Sequence, residues 1–235
     1  NVGPDRLALD ASTGYTRCPQ NPGTAARIHA CAPDAKLIYL MRHPIERAYS
    51  HFVHRWTKEL YQGIPFSLSF IEHVEHDPMC VDSSNYRMQI EEYLKYFPRE
   101  SLLCLFTDDV KADKVGVLQQ ICQFVGVDDA VSHFKEAPAR ANQSDEFLES
   151  RVRIQVTSKI KSVPLIKTLI PIVPSAIRER LYELFKGTSL GGQAKQDFTP
   201  PPIPDDVRQR MIELFADSNA WVADFTGRDL SHWNQ

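Results

Sequence analysis

Residues 36–54 read KLIYLMRHPIERAYSHFVH, and their order of apolar and polar positions predicts a strand, an abrupt turn and a helix. Leu37 to Met41 is a short continuous apolar run of the kind a buried parallel strand needs. Pro44 then opens a helix at the position where a missing N–H costs nothing. From there Ile45, Ala48, Tyr49, Phe52, Val53, Trp56 and Leu60 recur on one face at helical spacing, which groups His43, Arg47, Ser50 and His54 on the other. A strand end feeding a helix N-terminus offers free N–H groups and a positive dipole end. Arg42 adds a planar, permanently charged fork. The junction is therefore expected to hold a phosphate-like anion.

Outward from this unit, a helix is predicted near Thr24 to Cys31 and a loop over residues 61–82, which contain Gly63, Pro65 and Pro78. Residues 83–130 alternate helix (Tyr86, Ile90, Tyr93, Leu94, Phe97), strand (Ser101 to Phe106) and helix (Val115, Leu118, Ile121, Cys122, Val125). Such alternation implies parallel strands with crossover helices, an α/β fold. Tyr86 has two readings, a ring that stacks on a bound base or the first residue of the core stripe shared with Ile90 and Tyr93. A final helix carries Val207, Met211, Leu214, Phe215, Val222 and Phe225.

The 235 residues can bury a sizeable core and are most simply one domain, residues 1–235. A formal charge of −3 argues against general nucleic-acid binding. The sign is uneven, with eight basic against two acidic residues from Arg151 to Lys186. That strip suits an anionic or peripheral membrane contact, or is simply a solvated helix face. The five cysteines show no C-x-x-C spacing, and Cys104 and Cys122 fall among apolar neighbours, which favours a reducing, cytoplasmic compartment. The run His73-Val74-Glu75-His76-Asp77 with nearby Cys80 could be called a metal cluster, since ligands at i and i+3 on a helix can share a zinc ion, yet a complete set of four with proper spacing is not visible, so no metal is expected.

Arg42-His43-Pro44-Ile45-Glu46-Arg47-Ala48-Tyr49-Ser50 resembles the R-x-P-x-x-R-x-x-S signature of sulfotransferases that use 3′-phosphoadenylyl sulfate (PAPS), especially the heparan-sulfate-type and related bacterial branch. Asp10 to Tyr15 resembles that family's K-S-P-x-Y segment, with Ala11 where many members carry lysine. Tyr86 to Phe97, Ser101 to Phe106, Asp108-Asp109, Phe124 to Val127 and the tail Gly227 to Trp233 resemble later parts in the same order. The resemblance implies a P-loop-NTPase-like, three-layer fold with a central parallel sheet and flanking helices. It implies that Arg42 and Ser50 clasp the ribose 3′-phosphate of PAPS; Arg47 has two readings, a support for that clasp or a member of a structural ion pair. Lys186-Gly187 resembles a later segment that folds over the cofactor's 3′ side. The acceptor would be a hydroxyl, or less often an amine, of a glycan or small molecule.

One departure accompanies these matches. The family's K-x-G-T loop, which holds the 5′-phosphosulfate, does not precede Arg42, and the catalytic base that follows that loop would lie upstream of Asn1. The full gene product is therefore expected to extend upstream by roughly 40–80 residues, to the length of an ordinary α/β domain. Two other readings stay open at this point. One is a non-catalytic sulfotransferase-like module that binds an anionic partner. The other is a different P-loop-type nucleotide enzyme, against which the lack of G-x-x-x-x-G-K-[ST] counts.

Overall fold

The computed structural model describes residues 7–61, 68–127, 200 and 202–235. The chain forms two compact units, one of residues 1–52, 68–135 and 203–235, the other of residues 53–67 and 136–202. In the second unit the described part is mainly the end of one helix, where Arg55 pairs with Glu59 at 3.0 Å. The larger unit carries the sheet and everything that follows.

Strand β1 (Leu37–Met41) lies parallel to β2 (Leu102–Phe106), with Leu37 opposite Leu102 and Met41 opposite Phe106. Helix α1 (Thr24–Cys31) precedes β1, and α2 (Pro44–Tyr61) follows it after two residues. Between the strands run α3 (Phe70–His76), α4 (Pro78–Asp82) and α5 (Tyr86–Leu94). After β2 come α6 (Thr107–Ala112), α7 (Lys114–Val125) and, late in the chain, α8 (Asp205–Thr226). Parallel neighbours joined through helices are the arrangement that the alternating pattern implied.

The described part of residues 61–82 corrects the expected loop. Residues 70–82 form two short helices because the chain supplies their starts: Ser69 and Glu72 make a reciprocal capping box on α3. Asp77 then caps α4 through the Met79 amide at 3.2 Å, with Pro78 at the first helical position. The Gly- and Pro-based loop signal outweighed these caps in the sequence reading.

One face of the sheet is packed. Met41, Leu102 and Phe106 meet Tyr86 and Ile90 of α5, Val222 of α8, and Leu230 and Trp233 of the tail in one buried cluster. The tail reaches this place because α8 ends in a Schellman turn: Gly227 adopts φ 67°, its N–H donates to Asp224 at 3.3 Å, and the Arg228 N–H donates to Ala223 at 3.1 Å. A second cluster seats Ala25 of α1 against Tyr93 and Phe97. Buried Gln89 ties the N-terminal segment to α5, accepting from the Cys18 N–H at 2.9 Å and donating to the Cys18 carbonyl at 2.8 Å. On β1 the expected two-sided burial is found on one side. Ile38 and Leu40 remain 36% and 50% exposed, because alternate residues point to opposite faces and the cluster covers one of them. All five cysteines are free thiols.

Candidate anion site at the strand–helix junction

Arg42 and His43 occupy the two-residue turn between β1 and α2. The turn is held from below by Tyr86, the first residue of α5. Its hydroxyl accepts from the Arg42 N–H at 3.2 Å and donates to the Arg42 carbonyl at 2.8 Å, so one side chain satisfies both polar groups of that residue. The Tyr86 ring is 1% exposed and packs edge-on against Tyr39, with Trp233 on another side. Of its two sequence readings, the core position is where Tyr86 lies, and it has no open face for a base. Burial raises its hydroxyl pKa and keeps it a neutral donor.

His43 starts the helix. Its carbonyl accepts from the Arg47 N–H at 3.0 Å, and its Nδ1 accepts from the Ile45 N–H at 3.3 Å, the geometry of an N-cap. Burial lowers the His43 pKa, which favours the neutral ring that such an acceptor requires. The main-chain donors expected for an anion are thus partly used. Pro44 has none, Ile45 donates to His43, and Arg42 donates to Tyr86. The His43 and Glu46 amides carry no hydrogen bond among the described residues, and side chains supply the rest of the anion-binding capacity at this junction.

Those side chains are two guanidinium groups. Arg42 is half-buried, and one terminal nitrogen approaches the Arg47 carbonyl at 3.4 Å. Arg47, also half-buried, donates to Ser84 Oγ at 3.3 Å, and Ser84 in turn donates to the Cys80 carbonyl at 3.0 Å. Neither arginine has a carboxylate within salt-bridge reach among the described residues, and the adjacent Glu46 pairs instead with Arg208 at 3.5 Å. Desolvation lowers the Arg42 pKa, with Tyr86 and Glu46 acting against it; the group stays charged. Ser50 is half-buried two turns into α2, and its hydroxyl has no partner among the described residues. Two partly desolvated cations without a counter-ion among the described residues, with a hydroxyl one turn beyond Arg47 on the same helix, suit an oxyanion.

The structure brings Arg42, Arg47 and Tyr86 into one hydrogen-bonded constellation with Ser84, and places Ser50 on the same helix as Arg47. Lys186, Gly187 and the basic strip of residues 151–186 lie outside the described residues. Sequence reasoning missed Ser84 as a partner of Arg47 and His43 as a cap. Ser84 carries no local signal, since it meets Arg47 across thirty-seven positions. The placement of His43 immediately before Pro44 could have suggested a cap. A shallow depression beside β2, lined by Arg99, Leu103, Cys104 and Arg228 among others, includes none of these residues.

A model of the sulfotransferase family matches residues 4–130, more than half of the chain and all of this junction. The chain belongs to the sulfotransferase family. Among curated relatives it is 27% identical over 167 residues to human heparan sulfate glucosamine 3-O-sulfotransferase 6, an alignment covering 68% of this chain and 47% of the relative. It is 29% identical over 138 residues to human bifunctional heparan sulfate N-deacetylase/N-sulfotransferase 3, covering 54% of this chain and 15% of that protein. The chain thus spans about half the length or less of these relatives. A crystal structure of a sulfotransferase from Alicyclobacillus acidocaldarius superposes with a TM-score of 0.52 at 20% identity, over 91% of this chain and 63% of that one. That likeness shows the fold, the P-loop-like α/β architecture with a parallel sheet and flanking helices that the signature implied.

Proposed function

We propose that this sulfotransferase-family chain binds PAPS through Arg42, Arg47 and Ser50 and supports transfer of a sulfuryl group to a hydroxyl or amine of an anionic glycan or a small molecule. The observation that carries the reading is the pair of half-buried guanidinium groups at the β1–α2 turn, neither of which has a carboxylate within salt-bridge reach among the described residues. These residues fit the 3′-phosphate of the cofactor in chemistry. A bidentate arginine and a hydroxyl donor match a dianionic phosphate, and Tyr86 and Ser84 hold the two arginines in place. The acceptor class draws on the relatives, whose names describe O- and N-sulfation of heparan sulfate.

When bound, PAPS supplies the sulfuryl group, whose S–O bond to the 5′-phosphate breaks as an S–O or S–N bond forms at the acceptor. Transfer of this kind resembles phosphoryl transfer, in which positioning and charge stabilisation do most of the catalysis. Arg42, Arg47 and Ser50 contribute positioning: they grip the phosphate remote from the reacting sulfur and fix the cofactor's register. None of them is assigned the acceptor's proton.

Titration of adenosine 3′,5′-bisphosphate by calorimetry tests the assignment. Arg42→Ala is expected to weaken binding by about 2–4 kcal/mol, Arg42→Lys to recover part of that loss, and Ser50→Ala to weaken it by about 1 kcal/mol with little change in Tm. Equal affinity in wild type and Arg42→Ala would end the reading. Tight binding without turnover of PAPS by the full gene product would leave a binding module in its place.

A further inference from the structure

The helices between the two strands bring together three side chains that the arginine site does not use. His51 follows Ser50 on α2, His73 lies on α3 and Cys80 on α4, all within the larger unit. Each offers one ligand atom, and the three atoms lie within 4.8 Å of one another. His73 and Cys80 are buried and His51 is half-buried. The two imidazoles stack with centroids 5.7 Å apart, and the Cys80 thiol donates to the Ala48 carbonyl at 3.2 Å. Spacing along the chain pointed to His76 and Asp77 as companions of His73 and Cys80. The fold instead supplies the third ligand, His51, from α2, more than twenty positions upstream in an element already packed against this corner.

We propose that His51, His73 and Cys80 form a binding site for a divalent transition-metal ion, with zinc the best fit. Two imidazole nitrogens and one thiolate sulfur are a zinc ligand set, and the group contains none of the carboxylate oxygens that calcium or magnesium would need. A tetrahedral zinc ion about 2.0–2.3 Å from each ligand atom separates those atoms by about 3.3–3.8 Å. The present spacing therefore needs to close by roughly 1 Å, which side-chain torsions on three separate helices can supply. On binding, the Cys80 thiol leaves the Ala48 carbonyl and releases its proton to solvent, and a water completes the coordination. Without an ion, burial pushes that thiol up to about 12 and it stays protonated; a cation beside it reverses the balance.

The ion would act as a clasp. It would tie the helix carrying Arg47 and Ser50 to the short helix that leads into Ser84, the partner of Arg47. The inference does not depend on PAPS binding or on sulfuryl transfer.

Cobalt titration of the chelator-treated full chain decides it. The expected result is a thiolate-to-cobalt charge-transfer band with the visible bands of a tetrahedral centre, saturating at one equivalent, abolished by one equivalent of zinc, and accompanied by a zinc-dependent rise in Tm. Cys80→Ser should remove the charge-transfer band. His51→Gln, at a half-buried position, should weaken cobalt binding by at least about tenfold with an unchanged far-ultraviolet circular dichroism spectrum. Absence of a cobalt band and of a zinc-dependent Tm shift in folded wild type overturns the proposal. So does a band that persists in Cys80→Ser, which would place the thiolate at another of the five cysteines.

Discussion

At the scale of single residues, His43 links proton concentration to the geometry of the arginine turn. Its Nδ1 accepts from the Ile45 N–H, which a doubly protonated ring cannot do. Burial is the main cause of its lowered pKa; Arg208 and His232 act in the same direction, and Glu46 and Asp108 oppose it. As a base whose folded pKa lies below the ordinary 6.5, it contributes stability that is full above that value and is lost as pH falls through the folded pKa. Acidification from about pH 7.5 to about pH 5.5 should therefore lower the Tm of wild type more than that of His43→Asn, whose amide caps without titrating. A cap worth about 1 kcal/mol corresponds to a difference of about 2–4 °C, readable by calorimetric melts at both pH values. Identical pH slopes in the two proteins would remove His43 from the capping role.

At the scale of elements, the junction of β1 and α2 is positioned by α5 rather than by its own hydrogen bonds. Tyr86→Phe keeps the ring packing against Tyr39 and Trp233 but strands the N–H and carbonyl of Arg42. The expected cost is about 1–3 kcal/mol in urea unfolding, with a parallel fall in affinity for adenosine 3′,5′-bisphosphate as the Arg42 backbone loosens. If stability falls and affinity holds, Tyr86 supports the core alone.

At the scale of the whole molecule, the last residues of the chain finish its main hydrophobic cluster. Trp233 is 1% exposed, with its ring centroid 5.7 Å from that of Tyr86, 5.8 Å from Phe106 and 6.3 Å from His43. It thus touches α5, the end of β2 and the arginine turn at once. Trp233→Ala should cost about 3–5 kcal/mol, seen as a lower urea midpoint, through lost burial and an unfilled cavity. Because His43 and Tyr86 both lean on this ring, cofactor affinity should fall with stability. A stable variant with normal affinity would show that the tail is dispensable to the site.

Much of this was legible along the chain because its physical cause is local. The apolar run of β1, Pro44 at the start of α2 and the heptad-like stripes of α5 and α8 depend on neighbours within a few residues, and these elements lie where periodicity placed them. The caps on α3 and α4 were equally local at Ser69, Glu72 and Asp77, but competing turn residues masked them. What the chain order does not encode is which distant groups meet. Ser84 reaches Arg47, Tyr86 closes over Arg42, and His51 joins His73 and Cys80 only because helices from separate segments pack beside one strand end. The residue types at the junction are a matter of sequence. Which of the junction's amides are taken, and whether its arginines meet a carboxylate among the described residues, was decided by burial and pairing, which exist only once the chain is folded.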